Sequence, residues 1–293
     1  MKKLLSIILV AMLSIPSIVV SAQTPLSGFN RGKGQGTIAF SMNSESYSKV
    51  LLVPSEIDGV PVFRDVTVTS FNTFAAYGIT DKLEAVITLP QIKAKGNATD
   101  ATLGALNFQN ERKGLQDLSV FLKYNISTME MGANKLNLSI GGGVQTPLGD
   151  YKVDEGLQSI IAIGNRATSY TGIIIGQYNL SGGLFASGQL GYSIKSGVVP
   201  NAILSQLKAG YAGSKVYLAA TLSNQRSTDG VDILRDGFVG VFPATKVNYN
   251  RLGVDLYVPV VGGFGISGGY STILSGRNIG KSSGYFGGIA VSF

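Results

Sequence analysis

Seven charged residues are spaced so that they could bind or steer a polar solute. Each occupies the polar position in a stretch where neighbouring alternate residues are apolar. They are Glu84, Asp117, Lys123, Lys195, Lys208, Arg251 and Asp255. Both signs are present, so we expect weak charge selectivity along any surface that they line. The alternative interpretation is that they pair with one another and hold a wall rigid, because buried charges tend to be paired.

The composition argues against most catalytic chemistry. The chain contains no His and no Cys, so Ser-His and Cys-His nucleophile pairs, the usual zinc ligands and c-type haem attachment are all absent. Chemistry by a Ser-Lys pair or by paired carboxylates stays open. We predict that the protein is not an enzyme, has no catalytic residues and takes neither a metal nor a cofactor.

The charge balance is mildly basic, with 24 Lys and Arg against 17 Asp and Glu. Nucleic-acid binders cluster basic residues on one stripe beside aromatic residues. Here the charges are scattered singly, which argues against a nucleic-acid partner.

The N-terminal region has the pattern of an export signal. Lys2 and Lys3 precede an apolar run over residues 4–20, and Val20-Ser21-Ala22 is a small-residue cleavage site. Pro16 and several serines interrupt the run, which disfavours a spanning helix. We therefore predict a signal peptide over residues 1–22, a short N-terminal segment over residues 23–34 and a single domain over residues 35–293. The segment is too short for a plug domain, but it could thread into the interior of that domain.

The elements that carry the charged residues have a period of two. Leu118, Val120 and Leu122 alternate with Ser119 and Lys123, which is typical of strands rather than helices. Twelve such segments are predicted over residues 36–47, 66–79, 82–93, 116–126, 135–147, 167–180, 184–195, 204–212, 215–225, 246–258, 263–274 and 283–293. Apolar Phe121 and Phe286 are out of pattern. The last strand ends on Phe293 and places Tyr285, Ile289 and Val291 on the same face, as the closing strand of an outer-membrane barrel does.

The connectors between these segments are asymmetric. Four long stretches (48–65, 94–115, 148–166 and 226–245) fall on one side of the sheet if the strands alternate in direction, and most connectors on the other side are tight. Residues 127–134 are the exception. Short turns at one end and long loops at the other are typical of an outer-membrane barrel. The fold class predicted is all-β, a transmembrane antiparallel up-and-down β-barrel of about twelve strands. A periplasmic β-protein stays as the alternative, because alternation alone does not say which face points inward.

Three stretches also resemble a known family. They are Tyr77-Gly78-Ile79-Thr80-Asp81-Lys82-Leu83-Glu84, Gly114-Leu115-Gln116-Asp117-Leu118, and Gly143-Val144-Gln145-Thr146-Pro147-Leu148-Gly149-Asp150. The stretches are similar to strand and turn phrases of the outer-membrane family MetA-pathway of phenol degradation. The resemblance covers residues 77–150 well and the rest in general pattern. It implies an outer-membrane transporter for small organic compounds, aromatic ones included, and it carries over no binding site.

The function predicted is therefore a porin-like pore or transporter for small organic solutes in the bacterial outer membrane. About twelve strands should leave a narrow passage. The expected partners are outer-membrane lipid and a small-molecule solute, and we expect a monomer. The alternative is a structural or adhesive barrel that binds partners through its long loops. Apolar runs in these loops, such as Val60-Pro61-Val62-Phe63, could fold over the mouth or pack loop on loop.

Overall fold

The computed structural model describes residues 25–53 and 55–293, so the predicted signal peptide lies outside the described residues. Within them, 12 long strands form one sheet that closes on itself. The strands are β1 (Gly36–Tyr47), β2 (Val66–Gly78), β3 (Leu83–Gly96), β4 (Asp117–Met131), β5 (Asn134–Pro147), β6 (Ser169–Asn179), β7 (Leu184–Lys195), β8 (Ala202–Ala212), β9 (Tyr217–Ser227), β10 (Asn248–Val261), β11 (Phe264–Arg277) and β12 (Ser283–Ser292).

Each strand pairs antiparallel with the next along the chain, and β12 pairs with β1 to close the barrel. The closing register places Thr37 opposite Ser292 and Ser46 opposite Ser283. Closure removes the unpaired edges that an open sheet would expose. The predicted up-and-down antiparallel barrel is confirmed.

The outer surface of the barrel is apolar. Ile174 on β6, Leu190 on β7 and Leu207 on β8 are 58%, 52% and 65% exposed, and outward-facing apolar residues recur on the other strands. Monomeric soluble proteins rarely expose so continuous an apolar surface. This band faces lipid, with the backbone hydrogen bonds satisfied between the strands.

Two residues that break the alternation lie on the inner face, each against a glycine. Phe121 on β4 is directly opposite Gly143 on β5, and Phe286 on β12 is directly opposite Gly269 on β11. A Cβ atom added to Gly143 would lie 2.3 Å from Phe121 Cγ. The ring therefore occupies the space that a side chain would need, which explains both the apolar residue and its glycine partner.

The predicted connector over residues 127–134 is wrong. β4 continues to Met131 and β5 begins at Asn134, so only Gly132 and Ala133 form the turn. Gly132 has a φ of 67°, which glycine adopts at no steric cost. A register shift between Asn125 and Ser127 interrupts the strand. Such a bulge re-aims the residues that follow it, and so the alternation visible from Leu118 fades there.

The long loops carry structure of their own. They contain α1 (Asp100–Leu106), 3-10 turns at Gly156–Ile161 and Phe242–Ala244, and short strands at Lys49–Leu51, Glu56–Asp58, Glu111–Leu115 and Ile279–Gly280. Val60 and Phe63 are buried against Tyr151 and Ile161 of another loop. The apolar run over residues 60–63 therefore packs loop on loop. In the described part of the chain, no helix is long and apolar enough to cross a bilayer.

Candidate functional site: the barrel interior

Two adjacent cavities lie inside the barrel. The upper cavity, toward the long loops, has a volume of about 260 Å³, and the lower cavity has a volume of about 380 Å³. Gln116, Asp117 and Gln145 line both cavities. An apolar cavity of about 150 Å³ is enough to bind benzene. The interior therefore has room for a small organic molecule.

The wall of the lower cavity mixes hydroxyl and amide groups with apolar side chains. The polar groups include Ser41, Asn43, Ser70, Asn72, Ser119, Thr221 and Ser223, and the apolar ones include Val68, Phe74, Pro90, Ile92 and Phe286. Inward positions of β1 and β2 supply much of this set because the side chains of a strand alternate between its two faces. Such a wall can contact an apolar body and hydrogen-bond to one or two polar groups.

Asp117 joins the barrel wall to an external loop. Gln145 Nε2 donates to Asp117 Oδ2 at 3.0 Å, and the Tyr151 hydroxyl donates to Asp117 Oδ1. The Arg166 backbone N–H donates to the hydroxyl oxygen of Tyr151 at 3.2 Å. Burial raises the pKa of Tyr151, and the hydrogen bond to Asp117 raises it further. The phenol therefore stays protonated at neutral pH and keeps donating, so that Asp117 anchors this loop.

Arg251 makes a bidentate ion pair with Glu45. Its Nη1 lies 3.1 Å from Glu45 Oε2 and its Nη2 lies 2.7 Å from Glu45 Oε1. The Ser282 hydroxyl also donates to Glu45. On the neighbouring wall, the Thr221 hydroxyl donates to Asp255 Oδ2 at 3.5 Å. Arg251 and Glu45, which both line the lower cavity, therefore neutralise each other within the wall.

The floor of the lower cavity is the N-terminal segment, residues 25–34, which lies inside the barrel. Pro25 lines the cavity, and Leu26 is 5% exposed. A Cβ atom added to Gly141 on β5 would lie 2.3 Å from Leu26 Cδ1. The missing side chain of Gly141 thus makes room for Leu26. The segment fills the barrel below the cavity, at the end with the short turns.

Glu84 and Lys123 hold the N-terminal segment in place. Arg31 Nη1 lies 2.8 Å from Glu84 Oε1, and Lys123 Nζ lies 3.3 Å from Glu84 Oε2. Lys123 also donates to the backbone oxygens of Ser27, at 2.9 Å, and Phe29. All three charged side chains are buried. One carboxylate between two cations leaves none of these charges buried without a partner.

The inner wall is not polar along its whole length. Below the lower cavity the inward residues form an apolar belt of Phe74, Ala76, Val86, Phe121, Ile173, Ile175, Phe185, Tyr217, Ala219 and Tyr257. Leu26 and Phe29 pack against this belt. An apolar wall is stable there because the N-terminal segment covers it with apolar side chains and keeps water away.

All seven charged residues predicted from the sequence lie on inward positions of their strands. Glu84 and Lys123 meet in one network, Asp117, Arg251 and Asp255 line the lower cavity, and Lys195 lines the upper one. Their role as solute contacts stays a prediction. The sequence analysis missed Glu45 and Arg31. Glu45 could have been found, since it continues the polar alternation of Ser41 and Asn43, but Arg31 lies outside any strand. Among residues 25–53 and 55–293, no three acidic side chains come together as a metal site.

Comparison with solved structures finds similar barrels. The COG4313 outer membrane channel from Pseudomonas putida F1 superposes with a TM-score of 0.69 at 13% sequence identity, covering 92% of this chain and 99% of that one. The KdgM porin in complex with disordered oligogalacturonate aligns with a TM-score of 0.49 at 8% identity, covering 88% and 99%. The toluene transporter TbuX from Ralstonia pickettii aligns at 0.40 and 10% identity, covering 96% and 92%. No curated protein matches the chain.

The closed barrel and its lipid-facing band identify an outer-membrane protein. The family prediction rested on phrases between residues 77 and 150. The family model extends well beyond them, over most of the barrel. The family described as "Putative MetA-pathway of phenol degradation" matches residues 57–283, and the chain belongs to this family.

Proposed function

We propose that the protein is a channel through which small, weakly polar organic solutes, aromatic compounds among them, cross the outer membrane. The observation that carries this proposal is the pair of adjacent cavities inside the barrel, which share part of their walls and have the N-terminal segment as their floor. The loop end faces the exterior, as the long loops of outer-membrane barrels do. A solute would enter from that end and reach the lower cavity.

The chemistry of the cavity wall supports a weakly polar solute. Arg251 is neutralised by Glu45, and the Asp117 carboxylate accepts hydrogen bonds from Gln145 and Tyr151, so these charged groups are already bound within the protein. Hydroxyl and amide groups of the wall can accept or donate one or two hydrogen bonds, while Phe74 and Phe286 offer apolar contact. The family's description, which refers to phenol degradation, agrees with a ring carrying a hydroxyl group.

Planar-bilayer recording tests the proposal. Purified protein should give discrete openings, and phenol added on the loop side should interrupt the ionic current. A sugar of similar size, such as xylose, should interrupt the current less, because its many hydroxyl groups would lose water without gaining enough partners. Silence in the bilayer, together with binding of a partner to the external loops, would contradict the channel and favour the adhesive alternative.

We also propose that the barrel works as a monomer. Both cavities lie within one chain, and their walls need no residue from a second copy. Size-exclusion chromatography with light scattering on the detergent-solubilised protein should give the mass of one chain. A dimer or trimer mass that persists on dilution would contradict this.

A further inference from the structure

The ring of Phe29, on the N-terminal segment, sits against two aromatic rings of the barrel wall. Its centroid lies 5.0 Å from that of Phe185 and 6.4 Å from that of Tyr217, and it meets both at 71°, edge to face. Phe185 and Tyr217 stack on each other at 5.6 Å and 21°. These are the arrangements that aromatic pairs prefer.

The two wall rings belong to the barrel and not to the segment. Phe185 is on β7 and Tyr217 is on β9, with β8 between them. Phe185 is directly opposite Gly210 on β8, which carries no side chain. The two rings stack on each other across this intervening strand. The site is thus part of a continuous wall, in which they are 3% and 1% exposed.

The polar contacts that hold the N-terminal segment do not depend on the Phe29 ring. Lys123 donates to the backbone oxygens of Ser27 and Phe29, and Gln189 Nε2 donates to the backbone oxygen of Leu26 at 3.1 Å. All of these acceptors are main-chain groups. The ring itself is partly buried at the edge of the apolar belt. It could therefore leave the wall rings while these backbone contacts persist.

The lower cavity reaches the same apolar belt. Phe74 lines the cavity and is also a member of the buried cluster that contains Phe185 and Tyr217. Pro25, at the floor of the cavity, is four residues from Phe29 in the chain. Phe74 therefore links the cavity to the buried cluster that contains the two wall rings, and the N-terminal segment contributes to both.

We propose that Phe185 and Tyr217 form a subsite for a single aromatic ring, which Phe29 occupies in the absence of solute and an aromatic solute takes by displacing it. This inference rests on the proposed function in that the solute arrives through the cavities. It adds the class of ligand, a single aromatic ring, and the place where that ring binds, between the N-terminal segment and the rings of Phe185 and Tyr217. The edge-to-face geometry favours an aromatic ring over a saturated ring of the same size, because the partly positive ring edge meets the partly negative ring face.

The tether makes Phe29 a strong competitor, since a group on a short chain is present at its site at millimolar effective concentration. The Phe29→Ala variant should therefore bind an aromatic probe about tenfold more tightly than the wild type does, because the probe no longer has to displace a ring. Equal affinity in the two proteins would overturn the proposal. Toluene is a suitable probe because it has one ring and no charge.

The chain contains no Trp, so the Phe29→Trp variant carries a single fluorescent reporter at the subsite. In lipid vesicles, toluene should shift the Trp emission to the red as the indole leaves the wall rings. Methylcyclohexane is matched to toluene in size. Its concentration in the lipid should have to be about tenfold higher than that of toluene to give the same emission shift. A Phe40→Trp variant, on the lipid-facing surface where Phe40 is 53% exposed, controls for changes in the lipid itself.

Two outcomes of the fluorescence experiment would also overturn the subsite. One is an equal response to toluene and methylcyclohexane in Phe29→Trp. The other is an unchanged toluene response when Phe185→Leu and Tyr217→Leu are added, since these substitutions keep an apolar wall but remove its rings. Failure of the channel is distinguishable, because a toluene-selective shift in a protein that shows no conductance keeps the subsite and refutes the passage.

Discussion

At the scale of single residues, ion pairing decides what the inward charges do. Glu84 pairs with both Arg31 and Lys123 around the N-terminal segment, and Arg251 is held by Glu45. Of the two interpretations of the inward charges, pairing accounts for these contacts. Their partners come from distant parts of the chain. For the charges at the floor, the structural consequence is that the segment stays docked.

Glu84→Gln should release the N-terminal segment. The variant leaves Arg31 and Lys123 as two neighbouring buried cations, and breaking a buried ion pair on one side costs about 3–5 kcal/mol. The chain has no Cys, so a cysteine placed at Asn30 gives a unique label. Thiol labelling of Asn30→Cys should be much faster with Glu84→Gln than without it. The control is Glu130→Gln, because the Glu130 carboxylate is exposed and pairs only at the rim, with Lys135. Equal labelling rates would contradict this role of Glu84.

Asp232 should hold the external loop over residues 228–247 in place until the pH falls to strongly acidic values. Its hydrogen bond with Arg277, followed by that with Asn278, lowers the pKa of Asp232 to about 2. Because the folded pKa is below the unfolded value of about 3.9, the stabilisation is present above that value and is lost as the pH falls toward about 2. Pepsin cleavage of this loop should therefore rise as the pH falls from about 4 to about 2.

The matched pair for this test is Asp232→Asn and Asp236→Asn. The first removes the charge that pairs with Arg277, so the loop should already be cleaved quickly at the higher pH. The second changes an exposed carboxylate in the same loop and should behave as the wild type does, which corrects for the pH dependence of pepsin. If the two variants are cleaved alike, Asp232 does not pin the loop.

At the scale of elements, glycines on the inner face give space to side chains from neighbouring elements. In the run Gly141-Gly142-Gly143 on β5, Gly141 makes room for Leu26 of the N-terminal segment and Gly143 makes room for Phe121 of β4, whereas Gly142 faces lipid. The two inward glycines, Gly141 and Gly143, therefore each make room for a side chain of another element. The outward glycine, Gly142, does not.

Gly143→Val should destabilise the barrel by about 1–3 kcal/mol, because its side chain would force the Phe121 ring out of place. Gly142→Val is the control. A Cβ atom at Gly142 meets nothing closer than 3.8 Å, so its effect should stay within about 0.5 kcal/mol. Urea unfolding in lipid vesicles, followed by the mobility of folded and unfolded protein on cold gels, measures both. Equal midpoints would show that the ring and the glycine are not coupled.

Removal of residues 23–30 should raise the conductance of the channel. Of these residues, 25–30 include Pro25 at the floor of the lower cavity and the apolar side chains of Leu26 and Phe29, whereas Arg31 would remain to pair with Glu84. The barrel strands begin at Gly36 and are left whole. Planar-bilayer recording should show larger openings than in the full-length protein. Unchanged conductance would mean that ions already pass around the segment.

At the scale of the whole molecule, lipid decides which residues can face outward. Ile174→Arg, in the middle of β6, should destabilise the barrel in vesicles by about 2–4 kcal/mol because a charge would enter the lipid. Val239→Arg is the control, since Val239 is 83% exposed in an external loop, and its effect should stay within about 0.5 kcal/mol. A tolerated Ile174→Arg would refute the lipid-facing assignment of this surface.

The sequence by itself determined the fold class and the positions of the twelve long strands, apart from the ends of some of them such as β4. Alternation from Leu118 to Ile126 reflects a local rule, the twofold period of a strand between two different surroundings. The same rule placed all seven charged residues on the inner face. The rule does not say which partner each charged residue meets. Arg251, for example, meets Glu45 only when β12 pairs with β1.

The tertiary structure alone decided how the interior is filled. The threading of Leu26 and Phe29 into the barrel depends on Gly141, Lys123 and Phe185, which come from separate strands. For this reason the inner wall is apolar at the end with short turns. Local patterns report the surroundings of each strand, whereas a closed cavity exists only after the last strand has paired with the first, and its contents depend on contacts between residues far apart in the chain.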